Sequence, residues 1–564
     1  MFDLIIINHV ISYMRRTLCV CASLLNDHRS IMLGNEKSLI RDLKSWKFRN
    51  PPNYAELPIN ENPEYNVPVA VKDAVFSKVP TEPLTGKLHL VCVSEDAMKD
   101  ILDLDPEVAE TEEFVDMVAG RYLPEGGLTV CHRYGGYQFG YWADQLGDGR
   151  AHILGDYVNR KGESWQPQLK GSGETPYSRF GDGRAVLRSS IREMIASEAC
   201  YYLGIPTTRA AALVVSDDHK VWHDKSYSGA ARQERAAVVM RLAPAWYRLG
   251  SFEILLKRKE PHIMKQLADF VIKHHFPNIP SDDPDRYVKW YSEVAHTNLD
   301  MVATWQGVGF THGVLNTDNV SVLGVTIDYG PYGFMQHYYE HYVPNTSDDA
   351  GRYAFNKQPE ILVWNLEKFA EALEPILSDD EKQRIKDIKN TLANYVKNKI
   401  NVTYMRKLGL SEVRDGDEKL VKDLLQMMQQ TMADYTQTFR QMAELDVSQL
   451  SDVTSLESKW SLVKVSKALQ WEKWVQKYCE RLEQENVNEE VRRARMLKVN
   501  PLYIPNNWIL QEAIADAEKN DFGKVRLLLK IFKNPYEVNE EAEKLGYSSQ
   551  PPSWSYGIKL SCSS

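Results

Sequence analysis

The sequence predicts an α+β protein with two lobes, a strand-rich N-terminal lobe and a mostly helical C-terminal lobe with extensions. The first half contains short apolar runs, several rich in β-branched residues and bounded by turn residues, as strands are, at residues 87–93, 152–157, 208–215 and 236–242. From about residue 262 onward, apolar residues recur mostly at the three- and four-residue spacing of helices. Because 564 residues are too many for one compact core, separate lobes are the natural expectation.

One helix is predicted inside the strand-rich half, over residues 185–202. Leu187, Ile191 and Met194 recur at intervals that make one apolar stripe, and Gly204 ends the helix. Further helices are predicted in the second half, at residues 263–275, 285–306, 366–377, 380–398, 417–443, 471–495 and 509–520.

The composition along the chain predicts five segments. Residues 50–68 are dense in Pro and Asn, which disfavour helices and central strands, so we expect an irregular arm there and a folded core that begins after it. The five segments are a targeting segment or N-terminal extension at 1–33, a Pro- and Asn-rich arm at 34–85, an N-lobe at 86–250, a helical C-lobe with the functional loops at 251–500, and a helical extension with a cysteine-containing tail at 501–564.

Net charge and cysteine content exclude several classes of protein. A formal net charge of -9 argues against a general nucleic-acid-binding protein, because such a protein needs a basic surface. No run of apolar residues reaches the roughly 18 that a membrane-spanning helix requires. Seven scattered cysteines without a Cys-x-x-Cys pair indicate neither a disulfide framework nor structural zinc, and they favour a reducing compartment.

Residues 1–33 bear on the location of the protein. They combine apolar clusters with several arginines and contain only two acidic residues, Asp3 and Asp27, as some mitochondrial presequences do. The sequence therefore predicts a mitochondrial protein. A plain N-terminal extension of a cytoplasmic protein stays open as the alternative, because Asp3 and the isoleucine run beside it are untypical of presequences.

Lys170 and Glu193 form the first candidate site. Lys170 is expected at the end of a strand and Glu193 on the helix that follows. A lysine ammonium is a compact cation suited to phosphate oxygens, and a glutamate can hold it in place. A solvated loop lysine is the alternative for Lys170 taken alone.

The second candidate site lies in residues 311–329, predicted as a loop and a hairpin. Asp318 and Asn319 lie on the loop, and Asp328 follows nine residues after Asn319. Asn319 and Asp328 supply hard oxygen ligands of the kind that Mg²⁺ prefers, which leaves Asp318 free to accept a proton. Protein kinases divide these roles in the same way, so the sequence predicts a bilobal, protein-kinase-like fold. An Asx-rich turn without function is the alternative.

Two Gly-Asp-Gly-Arg sequences, at residues 147–150 and 181–184, form the third candidate element. Glycines let backbone N–H groups approach phosphates closely, and arginines add forked cationic donors. Each signal is weak alone. The chain has neither a Walker lysine motif nor the kinase-type Gly-x-Gly-x-x-Gly, so a phosphate cradle built here would be unorthodox.

Several long segments resemble the selenoprotein O family: YGGYQFGYWADQLGDGRA, QLKGSGETPYSRFGDGRAVLRSSIRE, LGIPTTRA, HGVLNTDNVSVLGVTIDYGPYGF and VNPLYIPNNWILQEAIADAE. The resemblance covers roughly residues 65–564. It implies a kinase-like fold whose ion pair is Lys170 and Glu193, whose proton acceptor is Asp318 and whose metal ligands are Asn319 and Asp328. The nucleotide contacts that it implies are Gly147, Gly149, Arg150, Lys170, Asp182, Gly183, Arg241, Arg248 and Asp328.

The resemblance also implies a reaction. Members of the family bind ATP in a flipped orientation and transfer AMP to Ser, Thr or Tyr hydroxyls of protein substrates, with release of pyrophosphate. The implied metal is Mg²⁺, with Mn²⁺ as the alternative. Arg150, Arg241 and Arg248 would then meet the terminal phosphates. Some family members carry selenocysteine where Cys562 stands, which suggests redox partners and a role in redox homeostasis.

Two other functions stay open on the sequence alone. A conventional kinase would transfer the γ-phosphate, although Asp318 directly beside Asn319, instead of several residues before it, argues against this. A non-catalytic redox or binding module would use Cys562, although the complete set of Lys, Glu, Asp, Asn and Asp side chains argues against that.

Overall fold

A ten-stranded sheet forms the centre of the N-terminal half in the computed structural model, which describes residues 38–64, 69–223, 232–558 and 560. The strands are β1 Ile59–Asn60, β2 Phe76–Lys78, β3 Leu88–Val93, β4 Val130–His132, β5 Gly135–Gln138, β6 Tyr141–Gln145, β7 Ala151–Ile153, β8 Tyr157–Val158, β9 Ser164–Lys170, β10 Ala185–Val186, β11 Arg209–His223, β12 Arg232–Ala243, β13 Phe310–Thr311 and β14 Gly333–Phe334. Strands β5 and β6 form a separate hairpin, and β13 pairs with β14.

The strand order brings two predicted site residues together in the middle of the sheet. The order is β1-β2-β4-β7-β9-β12-β11-β3, with β8 on β9 and β10 on β12, and all pairs are antiparallel except β1 with β2. Gln168 lies opposite Arg241, and Lys170 lies opposite Val239. Because opposite residues share a face and side chains alternate along a strand, Lys170 and Arg241 project from the same face of the sheet.

The helices, numbered along the chain, are α1 Glu95–Asp100, α2 Glu112–Val118, α3 Leu187–Tyr202, α4 Leu249–Lys257, α5 Pro261–His275, α6 Arg286–Val308, α7 Gln358–Leu373, α8 Asp379–Lys407, α9 Asp417–Thr431, α10 Tyr435–Glu444, α11 Val453–Leu456, α12 Trp460–Val465, α13 Trp471–Glu483, α14 Glu489–Val499, α15 Asn507–Ala517, α16 Gly523–Lys533 and α17 Glu540–Lys544. None of those described combines the length and apolarity needed to cross a lipid bilayer.

Helix α3 packs on the sheet against β11 and β12. Its apolar stripe is fully buried, with Leu187, Ile191 and Ile195 in one core with Leu213 and Val239 of the sheet. Helices α15 and α16 pack on α3 from the C-terminal end of the chain, and α16 also contacts β3. The helix that carries Glu193 therefore lies between the sheet and the C-terminal extension.

The predicted α+β class, with a strand-rich N-terminal sheet and a helical C-terminal part, is confirmed. The four predicted strands correspond to β3, β7 with β8, β11 and β12, and the predicted helix 185–202 corresponds to α3. The predicted hairpin within 311–329 is reduced to a single antiparallel bridge between Val320 and Thr326.

Two long helices predicted from the sequence are each broken in the structure. The prediction of one helix over 417–443 is wrong, because Met432 has a left-handed backbone (φ 52°) and Asp434 starts a new helix by accepting from the Gln437 N–H. The prediction over 471–495 is wrong for the same reason: Asn486 has φ 51° and Asn488 caps α14.

The expectation that the folded core begins after residue 68 is also wrong. Trp46, Tyr54 and Leu57 are buried, and the Tyr54 hydroxyl donates to the Leu128 carbonyl at 2.6 Å. Strand β1 lies within the predicted arm and joins the main sheet. Large apolar side chains scattered along an irregular segment show neither helix nor strand periodicity. The sequence pattern therefore did not indicate that these side chains are buried, and its many Pro and Asn residues indicated an irregular arm.

Candidate active site

Lys170 and Glu193 form an ion pair at the centre of the site. Lys170 Nζ lies 2.7 Å from Glu193 Oε2, and the two side chains are 12% and 4% exposed. The pair joins the end of β9 to α3. The buried apolar stripe of α3 fixes the helix on the sheet and so keeps Glu193 next to Lys170. Burial lowers the pKa of Lys170, Arg241 adds to that effect, and Glu193 opposes it.

Asp328 is the carboxylate on which three cations converge. Arg241 Nη1 lies 2.5 Å from Oδ1, Lys170 Nζ lies 3.6 Å from the same oxygen, and Arg248 Nη1 donates to Oδ2. Burial alone would raise the pKa of Asp328, but Arg248, Arg241 and Lys170 together hold it well below its usual value. The backbone of Asp328 has φ 57°, a left-handed conformation that is costly for a residue other than glycine.

Arg241 connects the ion pair to Asp328. Its Nη1 also lies 2.8 Å from Glu193 Oε1, and its Nε donates to Gln168 Oε1 at 3.1 Å on the neighbouring strand. The guanidinium lies 4.6 Å from the ring centroid of Trp246. Each nitrogen of this guanidinium therefore has a hydrogen-bond partner, and the β9–β12 register places Arg241 beside Gln168.

Arg248, at the start of α4, connects Asp328 to the turn that carries Asp318. Its Nη1 donates to the Asp318 carbonyl at 2.8 Å, and its Nη2 lies 3.5 Å from Asp148 Oδ1. The guanidinium lies 4.4 Å from the ring centroid of Tyr134. Asp148 is a site residue that the sequence did not single out, although it lies inside the first Gly-Asp-Gly-Arg sequence.

The first Gly-Asp-Gly-Arg sequence lies beside the ion pair. Gly147 has φ 112°, and a Cβ on Gly149 would come within 2.7 Å of the Tyr177 carbonyl oxygen, so both positions need glycine. The carbonyl of Arg150 accepts from the Gly171 N–H at 2.7 Å, next to Lys170.

The second Gly-Asp-Gly-Arg sequence lies at the edge of the site. Arg150 Nη1 donates to the Arg184 carbonyl at 3.4 Å, which joins the two sequences. A Cβ on Gly183 would come within 2.1 Å of the Gly173 carbonyl carbon. Asp182 is exposed and accepts from the Arg184 N–H at 2.9 Å, so its carboxylate does not join the cluster around Asp328.

Asp318 lies in a short 3-10 turn, Thr317–Asn319, and is buried. Its Oδ2 accepts from Gln138 Nε2 at 3.2 Å, while its Oδ1 is buried without a hydrogen-bond partner among the described residues. Gly136 lies directly over this oxygen, since a Cβ there would be 2.6 Å from it. Burial raises the pKa of Asp318 to about 6, so the carboxyl retains affinity for a proton near neutral pH.

Asn319 and Asp328 could hold a divalent metal ion. Asn319 Nδ2 donates to the Val314 carbonyl at 2.8 Å, which leaves the amide oxygen as the free acceptor of that side chain. An amide oxygen and a carboxylate suit Mg²⁺. Mg²⁺ prefers octahedral coordination, so phosphate and water would supply the remaining ligands of an ion held by these two side chains. Within the described ranges, no group of three or more His, Cys, Asp and Glu side chains could hold a metal.

The family model described as "Protein adenylyltransferase SelO" matches residues 65–533. The chain belongs to the SelO family. It is 41% identical over 499 residues to the "Protein nucleotidyltransferase YdiU" of Pseudomonas fluorescens strain SBW25, covering 87% of this chain and 96% of that protein. Proteins of the same name in Ectopseudomonas mendocina (strain ymp) and Azoarcus sp. (strain BH72) are 42% and 40% identical, over 87% and 88% of this chain and 96% and 95% of theirs.

Membership of the SelO family confirms the protein-kinase-like class and the nucleotidyltransferase class of enzyme. The matched range contains every predicted site residue except Cys562. The structure brings Lys170, Glu193, Arg241 and Arg248 together around Asp328, and their individual roles stay predictions. Cys562 lies outside both the matched range and the described residues.

The β5–β6 hairpin of this SelO-family protein is bound to the turn that carries Asp318. Thr317 Oγ1 accepts from the Tyr137 N–H at 2.8 Å and donates to Glu253 Oε2 at 2.5 Å. Burial raises the pKa of Glu253 to about 8, so it is largely protonated at neutral pH. Gln138 and Glu253 were not predicted, because contacts between residues this far apart leave no local pattern in one sequence.

Proposed function

We propose that this protein transfers AMP from ATP to Ser, Thr or Tyr hydroxyls of other proteins and releases pyrophosphate. The observation that carries the proposal is the convergence of Lys170, Arg241 and Arg248 on Asp328, beside the buried Asp318. A compact group of three cations suits a triphosphate, and the SelO family name supports AMP as the transferred group.

The cations bind and orient the nucleotide. A guanidinium holds phosphate oxygens with the same fork with which it holds a carboxylate, so Arg241 and Arg248 can serve both. Lys170 contributes a compact positive charge, and Glu193 keeps its ammonium group in place. In the flipped orientation that the family resemblance implies, these cations meet the terminal phosphates and the α-phosphate faces outward.

Asp318 accepts the proton of the attacking hydroxyl. The hydroxyl oxygen forms a bond to the α-phosphorus, the bond from that phosphorus to the oxygen bridging the α- and β-phosphates breaks, and pyrophosphate leaves. The proton moves to the Oδ1 atom of Asp318, which has no other partner among the described residues. Lifting of the β5–β6 hairpin would open this oxygen to the acceptor.

Asn319 and Asp328 would hold the metal ion, for which we propose Mg²⁺, with Mn²⁺ as the alternative. When bound, the ion would neutralise phosphate charge and so favour departure of pyrophosphate. Both oxygens of Asp328 already contact cations, so the carboxylate can exchange one arginine for the metal ion.

The position of the label separates this function from its alternatives. The full chain is incubated with a protein acceptor and ATP labelled at the α- or the γ-phosphate. AMP transfer puts only the α label on protein, a conventional kinase puts only the γ label on its acceptor, and a non-catalytic redox or binding module transfers neither. Asp328→Ala should lose the signal, whereas Asp349→Ala, at an exposed residue, should keep it.

Location and redox role are separate proposals. Residues 1–33 support a mitochondrial location, with a cytoplasmic one as the alternative, and fusion of these residues to a fluorescent protein would test import. Redox partners are proposed through Cys562. Cys562→Ser should lower the recovery of thiol-linked partners and leave AMP transfer intact; loss of AMP transfer under reducing conditions would contradict that separation.

A further inference from the structure

A cluster of aromatic rings and cations lies beside Asp318, and its side chains have no role in the reaction proposed above. Tyr137, on β5, meets the rings of Trp142 and Trp364 edge-on, with centroids 5.4 and 5.6 Å away. Trp142 belongs to β6 and Trp364 to α7, so the cluster joins the hairpin to the helical half.

Three cations lie close to these rings. Lys257 Nζ is 5.4 Å from the ring centroid of Trp142. Lys368 Nζ is 5.5 Å and Arg352 Cζ is 4.7 Å from the ring of Trp364. Contacts with the faces of aromatic rings hold cations in place without neutralising their charge.

Two of the three cations have no carboxylate partner among the described residues. Neither Lys257 nor Arg352 has a carboxylate oxygen within 4.0 Å in the part of the chain that the structure describes. Asp348 accepts with both oxygens from backbone N–H groups, one of them that of Arg352 itself. Lys368, in contrast, pairs with Glu371 at 2.8 Å. The cluster is therefore positive, although the whole chain has a net charge of -9.

The cluster adjoins the candidate base. Gln138, on the same hairpin, donates to Asp318 at 3.2 Å, and the Phe139 N–H donates to the Tyr353 hydroxyl at 2.7 Å. Two rings at the hairpin turn face solvent, since Phe139 is 37% and Tyr141 is 81% exposed. A polypeptide that lies across this turn would bring its side chains close to Asp318 when the hairpin lifts from Oδ1.

We propose that an acceptor wall docks the polypeptide that receives AMP and favours acidic side chains near the hydroxyl. The wall consists of Tyr137, Tyr141, Trp142, Lys257, Arg352 and Trp364. Unpaired cations attract carboxylates, and exposed rings offer contact area to the backbone of a bound segment. The inference rests on the proposed function and names the kind of substrate that it takes.

Three matched peptides test the acceptor wall. Each has one tyrosine, flanked by glutamates, glutamines or lysines, and is incubated with the full chain and α-labelled ATP. We expect the apparent KM to be lowest for the glutamate peptide and highest for the lysine peptide, each step about fivefold. Added salt should weaken the preference, because exposed charges are screened.

A variant with reversed charges should invert the order of peptide preference, which loss of folded protein would not do. Lys257→Glu with Arg352→Glu should label the lysine peptide better than the glutamate peptide. Lys386→Glu, which changes the charge of an exposed residue on α8, is the matched control and should keep the preference of the unsubstituted chain.

Each outcome decides between the two proposals. Equal labelling of the three peptides, or a preference that charge reversal leaves in place, would overturn the acceptor wall. Self-labelling of the enzyme without labelling of any peptide would also overturn it, because a docking surface for acidic segments should accept one. If neither the enzyme, a protein acceptor nor a peptide gains the α label, the proposed function itself is wrong.

Discussion

Arg192 and Tyr332 hold each other through two hydrogen bonds that run in opposite directions. Arg192 Nη2 donates to the Tyr332 carbonyl at 2.6 Å, and the Tyr332 hydroxyl donates to the Arg192 carbonyl at 2.9 Å. Arg192 precedes Glu193 on α3, and Tyr332 follows Asp328 by four residues. The two hydrogen bonds therefore fix the helix of the ion pair against the loop that carries Asp328.

Tyr332→Phe should lower kcat for AMP transfer about threefold to tenfold, which corresponds to one hydrogen bond of about 1 kcal/mol. The ring, 4.3 Å from the Arg192 guanidinium carbon, is kept, so the fold should survive. Steady-state kinetics with α-labelled ATP measures the effect. Arg188→Gln, on the same helix, loses an ion pair with Glu234 and should change stability more than kcat. An unchanged kcat in Tyr332→Phe would contradict a positioning role.

Lys170→Ala should lower the rate of AMP transfer about a hundredfold or more, because it removes a buried cation from the phosphate site. Glu193→Gln should cost only about tenfold, since the amide oxygen can still accept from Lys170 while the charge is lost. Initial rates at saturating ATP measure both. A larger loss in Glu193→Gln than in Lys170→Ala would show that the glutamate does more than hold the lysine.

Asp318→Asn should lower transfer about a hundredfold to ten-thousandfold and leave ATP binding nearly intact, since a general base acts only when the acceptor proton moves. The amide oxygen of the variant can still accept from Gln138, which preserves the turn. Calorimetric titration with Mg-ATP and the transfer assay compare the two quantities. An equal loss of binding and transfer would point to a metal ligand instead.

Glu253→Gln should change how thermal stability depends on pH. Burial raises the pKa of Glu253 to about 8, whereas the unfolded carboxyl has an ordinary value near 4.5. Between these values the folded chain keeps a proton that the unfolded chain releases, so stability falls as pH rises, by at most about 1.4 kcal/mol per pH unit. The variant lacks this loss, and its Tm relative to the unsubstituted protein should rise from pH 5 to pH 8.

A matched control is Glu374→Gln, at an exposed residue, whose Tm difference should stay flat over the same range. A flat difference for Glu253→Gln as well would mean that Glu253 is ionised in the fold. The hydrogen bond from Thr317 would then have to be charge-assisted.

The sequence predicted the parts of the site that depend on local pattern. The apolar stripe of α3 placed Glu193 on a helix, and Lys170 was expected at the end of a strand, where β9 does end. The distance of 2.7 Å between them follows from packing those two elements together. Asp434 and Asn488 begin new helices and are residue types common at N-caps. The helical periodicity on both sides of each residue nevertheless led to the prediction of one continuous helix.

The remaining contacts of the site could not be predicted, because they join residues that are far apart in the chain. Gln138 reaches Asp318 across 180 residues, and Arg192 reaches Asn507 across 315. Neither glutamine nor arginine is unusual in its own segment. Only the packing of the hairpin and of α15 gives these side chains their partners.

The mass of an acceptor protein after reaction tests the central claim most directly. The full chain is incubated with ATP, Mg²⁺ and an acceptor, and the acceptor is measured by intact-protein mass spectrometry and by fragmentation to the modified residue. We predict the addition of a whole AMP group to a Ser, Thr or Tyr hydroxyl, absent with Asp328→Ala and strongly reduced with Asp318→Asn. Addition of a phosphate group alone, or an AMP adduct that forms equally well with both variants, would contradict the account.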